Sequence, residues 1–248
     1  QVSVPDERLT KLAEIVKPGR IVPAVCDIVD IAGLVKGASK GEGLGNQFLA
    51  NIRECDAIIH VLRCFDDSGI VHVDGSVDPV RDKEIIDMEL QLKDLETLEN
   101  RAKRVEKAAR VGGDKAAKIE MDVIDTYRKV LLEGKSARTV SFETEDEQAA
   151  AKSLFLLTAK PVLYVCNVDD KSASTGNEHT ARVAEAIKDE EAEMLIISAQ
   201  TEADIAELET YEEKQMFLED MGLSESITTF QLSSPAHMSA DAGFIMPP

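Results

Sequence analysis

Hydrophobic positions along the chain follow two periods. Residues 21–31, 57–64, 161–168 and 194–198 are short runs rich in Val and Ile and apolar on both faces. Such runs predict buried strands of a parallel sheet. Amphipathic stretches alternate with them: residues 46–55, with Phe48, Leu49 and Ile52 on one side, then 181–192, then 202–221, which stops at Gly222. Strand and helix in alternation predict an α/β fold with a mostly parallel sheet.

The stretch between the second and third strands has another rhythm. Apolar side chains stand at 85, 88, 92, 95, 98, 102, 105 and 109, in steps of 3, 4, 3, 3, 4, 3 and 4. This near-heptad stripe slips phase once, at Leu98. Gly112, Gly113 and Asp114 break it, and a second amphipathic run carries Ile119, Val123, Tyr127 and Val130. The pattern predicts an antiparallel helical hairpin, with a third helix over about 146–157 leading back into the strand at Pro161. The expected organisation is an α/β domain in two parts, 1–82 and 158–223, with a helical arm, 83–157, inserted between them. Residues 224–248 lose all periodicity and read as a tail.

Chemistry enters where strands end. The first strand closes on Asp30-Ile31-Ala32-Gly33, followed by a loop with glycines at 37, 41, 43 and 45. This Asp-x-x-Gly pattern is what a P-loop nucleotidase places beside the γ-phosphate: the acid holds Mg²⁺, usually through water, and the glycine offers a bare N–H. Glycines suit a loop that changes conformation with the nucleotide. The strand over 161–168 runs into Asn167-Val168-Asp169-Asp170, which is placed like the Asn-Lys-x-Asp motif that reads a purine. Val168 stands where the lysine stem would cover the base. The last strand leads into Ser198-Ala199-Gln200, similar to the Ser-Ala-Lys turn that contacts the base. Leu34 occupies the position at which Ras-like enzymes carry the glutamine that orients water, and a leucine can do no such thing. Each piece alone also reads as an ordinary turn; their order and spacing, each at a strand's carboxyl end, is the signal. Gly134-Lys135-Ser136 imitates a phosphate loop, but position 129 is lysine and the motif follows a helix.

Composition narrows the picture. The 248 residues carry a net charge of −19, which repels nucleic acid and anionic membranes as a whole. Against that background Arg101, Lys103, Arg104, Lys107 and Arg110 cluster near the hairpin tip, opposed only by Glu106. A solvated helix face and an anchor for an anionic partner such as RNA both account for them. There is no apolar run long enough to span a membrane, and no pattern of a signal peptide at the start. The four cysteines lack metal spacing and read as reduced core thiols, which fits the cytoplasm. His60 reads as a core residue, and His72 takes no assigned role.

The run from Asp30 to Asn46, with residues 48–54 and the strand into Arg63-Cys64-Phe65, closely resembles the Obg-like ATPases of the YchF type. So does the stretch over 9–18. The resemblance covers about 2–223 and is most specific over 29–65. It implies a P-loop nucleotidase domain with an inserted coiled-coil arm, an Mg²⁺-dependent hydrolase that prefers ATP over GTP, and a translation-associated, ribosome-binding monomer. The family carries a hydrophobic residue in place of the catalytic glutamine, which Leu34 matches, and an Asn-x-x-Glu motif, in which Asp170 takes the glutamate's place. Asp170 leaves a GTP-specific nucleotidase open as an alternative. The chain is expected to begin after the family's phosphate loop and first switch, and 226–248 do not resemble its TGS domain, so a non-enzymatic helical binding module also remains open.

Overall fold

The computed structural model describes residues 1–4, 6–31, 44–67, 69–70, 75–111, 114–223 and 241–245. Six strands form one sheet in the order β1-β2-β6-β3-β4-β5: β1 (Val2–Ser3), β2 (Val25–Ile31), β3 (Ala57–Arg63), β4 (Val162–Asn167), β5 (Glu193–Ile197) and β6 (Asp241–Ile245). β1 runs antiparallel to β2, and the other pairings are parallel. The helices are α1 (Glu7–Val16), α2 (Leu44–Glu54), α3 (Pro79–Val111), α4 (Lys115–Leu132), α5 (Glu145–Ser153), α6 (Glu178–Ile187), α7 (Ala199–Glu207) and α8 (Tyr211–Asp220). The α/β fold of P-loop nucleotidase type is thus present, with α3, α4 and α5 inserted between β3 and β4.

Among the described residues there are two cores. The larger joins the sheet to its helices through Ile52, Ile58, Leu62, Tyr164, Cys166, Val183 and their neighbours. The smaller belongs to the arm, where Leu98, Val123, Ile124, Tyr127 and Leu131 pack with Leu154 and Leu156. Cys55, Cys64 and Cys166 are buried and Cys26 is half-buried, and none of the four is in a disulfide. The Cys64 thiol is pushed up in pKa by its bond with Cys166 and by burial, which suppresses the thiolate.

Four features differ from the expected pattern. The first concerns the phase of α3. Met88 and Leu92, on the apolar stripe, are 59% and 47% exposed, while Ile86, Leu90 and the polar Lys83 and Asp94 are buried. The first half of α3 packs on the sheet domain, where polar side chains are matched by polar partners. Only from Leu95 onward does the stripe face α4. The second concerns β2, which begins at Val25 rather than 21, since Pro23 has no N–H for a ladder. β2 is not buried on both faces either: Ile28 and Val29 are 47% and 46% exposed.

The third feature is that residues 202–221 form two helices, not one. Leu208 is extended, and Thr210 opens α8 with a capping box to Glu213. The fourth is β6, which lies in the stretch expected to be a structureless tail. β6 pairs with β2 on one side and β3 on the other, Asp30 opposite Phe244 and His60 opposite Ile245. Backbone partners on both sides hold this strand, and local periodicity carries no trace of such long-range pairing.

Candidate functional site

Because β2, β6, β3, β4 and β5 are parallel, their carboxyl ends share one edge of the sheet. Pairing between β4 and β5 runs from Leu163 opposite Glu193 to Asn167 opposite Ile197. It continues one step further, where the Val168 N–H donates to the Ile197 carbonyl at 2.8 Å. From there the two chain segments are tied side chain to backbone. Asn167 Oδ1 accepts the Ala199 N–H at 2.9 Å, one of the orphan donors at the start of α7. Ser198 is the N-cap of α7, its hydroxyl oxygen accepting the Thr201 N–H at 3.2 Å. That hydroxyl donates to Asp170 Oδ1 at 2.5 Å, and the Thr201 hydroxyl donates to the same oxygen at 2.7 Å.

The two hydroxyls hold the exposed Asp170 carboxyl below the usual range, so it is an acceptor-only anion at neutral pH. Asp169 shapes the turn by accepting the Ser172 N–H at 3.0 Å. Gly176 then turns the chain towards α6 with φ at +71°, and a Cβ there would meet Thr180 Oγ1 at 2.5 Å.

The structure therefore brings Asn167, Asp170, Ser198 and Ala199 into one knot. Val168 is 3% exposed and packs in the main core, so its side chain supports the turn from beneath. Asp30 is exposed on β2. Through Phe244, Ile59 and Leu163 it is level with a point four residues before Asn167 along the sheet, roughly 13 Å short of the knot. Gly33, Leu34, the glycine-rich loop and His72 lie outside the described residues. A single oxygen-donor carboxylate suits Mg²⁺, which keeps most of its waters; among the described residues no group of three or more His, Cys, Asp or Glu gathers into a metal cage.

Several residues at this edge escape a motif-based reading. Thr201 completes the Asp170 contact and was signalled only by its Ser198-x-x-Thr201 capping spacing. Arg63, at the end of β3, donates to the carbonyls of Phe65, Ile70 and Asp67 at 3.2 Å each, and its guanidinium stacks 4.8 Å from the Phe65 ring centre. It organises the adjoining loop. Asn177 Nδ2 donates to the Cys64 carbonyl at 2.7 Å, joining that loop to the start of α6. Arg63 and Asn177 carry no local sequence signal for a site.

On the arm, Lys103, Arg104 and Lys107 are exposed, while Arg101 is half-buried and paired with Glu120 of α4. The Arg110 side chain lies outside the described residues. Gly134-Lys135-Ser136 closes α4: Gly134 has φ +76° and Lys135 pairs with Glu133 at 3.3 Å, so this is a helix end and not a phosphate cradle. His60 is a core residue beside Tyr164, and burial depresses its pKa to about 3, which keeps it neutral. Among the described residues no helix is long and apolar enough to cross a membrane.

A mostly parallel sheet with Asp-x-x-Gly, Asn-x-x-Asp and Ser-Ala motifs at the carboxyl ends of β2, β4 and β5 is the pattern of the class of P-loop nucleotidases. A model of the family described as 50S ribosome-binding GTPase matches residues 10–111. The ribosome-binding ATPase YchF of Bacillus subtilis is 50% identical over 227 residues, 91% of this chain and 61% of that protein. Obg-like ATPase 1 of Saccharomyces cerevisiae is 47% identical over 191 residues, 75% of this chain and 48% of that protein. The solved structure of the Schizosaccharomyces pombe YchF GTPase superposes with a TM-score of 0.75 at 35% identity, covering 91% of this chain and 61% of that one. Over about nine tenths of its own length the chain matches the YchF-type Obg-like ATPases. It spans about three fifths of the length of the YchF relatives.

Proposed function

We propose that this chain is part of a ribosome-associated NTPase that hydrolyses ATP to ADP and phosphate and acts as a nucleotide-dependent switch in the cytoplasm. The observation that carries the reading is the knot of Asn167, Asp170, Ser198 and Ala199 at the sheet's carboxyl edge, in a family whose members are named ribosome-binding ATPases. In this reading the knot receives the base: Asn167 braces the turn, and the Asp170 carboxylate accepts donors of the ring edge. Asp30 holds Mg²⁺ through water, and the Gly33 N–H serves the γ-phosphate. The ion supplies charge neutralisation on the phosphate oxygens. Leu34 cannot orient the attacking water, so another group does so. The loop after Gly33, with α2 behind it, changes conformation with the nucleotide. The parts are a nucleotidase domain in two segments, 1–82 and 158–223, and an arm, 83–157, in a monomer.

The exposed face of Lys103, Arg104 and Lys107 on the arm contacts ribosomal RNA. Reversing charge at Arg101, Arg104 and Lys107 to Glu should lower co-sedimentation with ribosomes about tenfold at 0.1 M salt, more steeply at low salt. Sedimentation equal to wild type would remove the arm from the interface.

One observation favours GTP instead. Asp170 is a carboxylate one methylene shorter than the family's glutamate, suited to the two N–H donors on guanine's edge. If so, Asp170→Glu shifts the ratio of ATP to GTP affinity about tenfold towards ATP in competition with a fluorescent nucleotide. A wild-type protein that already ignores GTP ends this alternative.

A further inference from the structure

Apart from the knot, the protein holds a concave pocket at the root of the arm. It has a volume of about 360 Å³ and lies between α2, α3 and α5. Among the described residues four cations line it, Arg53 from α2 and Lys93, Arg101 and Arg104 from α3, with Glu96 the one acid on its wall. In a chain of net charge −19 this is a strong local inversion of sign. Two of the cations are neutralised in place, Lys93 by Glu96 at 2.6 Å and Arg101 by Glu120. The other two are not. Arg53 donates through Nη2 to the uncharged Thr97 hydroxyl at 3.0 Å, and Thr97 in turn donates to the Lys93 carbonyl, so the threonine offers Arg53 a neutral acceptor only. Neither Arg53 nor Arg104 forms an ion pair with an acid among the described residues; the buried Asp94 carboxylate acts on Arg53 only through charge at longer range. A guanidinium has five donors in a planar fork that matches a phosphate bidentately. The Asn100 side chain, also on the wall, adds a neutral polar group.

We propose that this pocket binds a phosphate-bearing anion between the Arg53 and Arg104 guanidiniums. It is a second ligand site, separate from the knot at the sheet edge. Its size suits one or two phosphate groups, and its polar walls suit an ion rather than an apolar ligand. Position gives it a consequence. Arg53 lies in the last turn of α2, the helix that follows the glycine-rich stretch, and Lys160 on the arm's return path donates to the Arg53 carbonyl at 3.2 Å. An anion held by both arginines fastens α2 to the arm, so its binding and the arrangement of α2 depend on each other reciprocally.

The test is titration of the purified chain with inorganic pyrophosphate at constant ionic strength and without divalent metal, followed by isothermal calorimetry. Arg53→Gln and Arg104→Gln, each checked for an unchanged melting curve, should each weaken pyrophosphate about tenfold or more. Asp30→Ala and Asn167→Ala should leave it unchanged. Competition by a short oligoribonucleotide would identify RNA phosphate as the source of the anion; absence of competition would identify a free small molecule. Pyrophosphate that fails to bind, or that binds the two arginine variants as wild type does, overturns the proposal. Loss in Asp30→Ala with retention in Arg53→Gln places the anion in the nucleotide site and overturns it equally.

Discussion

Replacing Asp94 by alanine should lower the melting temperature of the protein by about 10 °C. Asp94 sits on α3 with no exposed surface, and its carboxylate accepts from the Leu157 N–H at 2.8 Å, the Thr158 N–H at 2.8 Å and the Thr158 hydroxyl at 2.7 Å. Burial pushes the carboxyl up in pKa, and the three bonds from Thr158 and Leu157 oppose that rise. Thr158 is itself a hub: its hydroxyl oxygen accepts the Ala137 N–H at 3.2 Å and its carbonyl accepts the Arg138 N–H at 3.0 Å. Alanine leaves two backbone donors and a hydroxyl buried without an acceptor, at a cost of about 3–5 kcal/mol. For a protein of this length each kcal/mol lowers the midpoint by about 2–4 °C. Asp94→Asn keeps one acceptor oxygen but turns an amide N–H₂ towards a donor, and should fall between the two. Thermal unfolding followed by circular dichroism decides it; a midpoint within about 2 °C of wild type for the alanine variant would mean that water replaces the carboxylate.

The second large effect is expected at Glu190, in the loop between α6 and β5. Its carboxylate receives the buried Lys83 ammonium, Arg138 Nη2 at 2.9 Å and the Tyr164 hydroxyl at 2.9 Å, while Lys83 also reaches Asp87 at 2.6 Å. Glu190→Ala leaves the buried Arg138 without its carboxylate and Lys83 with Asp87 alone, and should cost about 3–5 kcal/mol, whereas Glu190→Gln, which keeps an acceptor for Arg138 and Tyr164, should lose less. A glutamine variant no more stable than the alanine one would mean that the charge of Glu190, and not its hydrogen bonds, holds the network.

The pH dependence follows from the same groups. Burial alone would raise Glu190, but the bond and charge of Lys83 outweigh it and lower the pKa below 4.5; its stabilisation is present above 4.5 and is lost as pH falls through the lower folded value. Burial alone would lower Lys83, but Asp87 and Glu190 outweigh it and raise the pKa above 10.5; its stabilisation is present below 10.5 and is lost as pH rises through the higher folded value. Burial raises Asp87, which offsets part of the gain at neutral pH. The melting temperature should therefore fall in acid less steeply in Glu190→Gln than in wild type, and the two curves should converge there.

How far the fold could be read from sequence depended on the range of the interactions concerned. β3 and β4 were legible because Val- and Ile-rich runs such as Val162–Asn167 are buried from both sides and announce it locally, and β5 because its apolar run Met194–Ile197 is at least half-buried throughout. The hairpin was legible beyond Leu95, where the stripe meets α4. Before that point the same stripe misleads, because the buried face is chosen by Asp94, Lys83 and partners some sixty to one hundred residues away, such as Leu157 and Glu190. β6 was invisible for the same reason. At the site, Asn167, Asp170, Ser198 and Ala199 were legible as motifs at strand ends. Thr201, Arg63 and Asn177 were not, since each acts through a contact that a linear pattern does not display.

The junction at Asp94 also gives the arm a mechanical character. α3 is a single helix of 33 residues, about 50 Å long, pinned to the sheet domain at Lys83 and Asp94, touched by Arg53 of α2 at Thr97, and packed against α4 beyond. The span from Leu95 to Val111 measures roughly 25 Å. With a fulcrum at Asp94, a tilt of about 10° swings the far end by about 4 Å, comparable to the width of a strand-to-strand gap. Small rearrangements against Leu157 and Thr158 are thus delivered at the tip as displacements large enough to make or break contact with a partner.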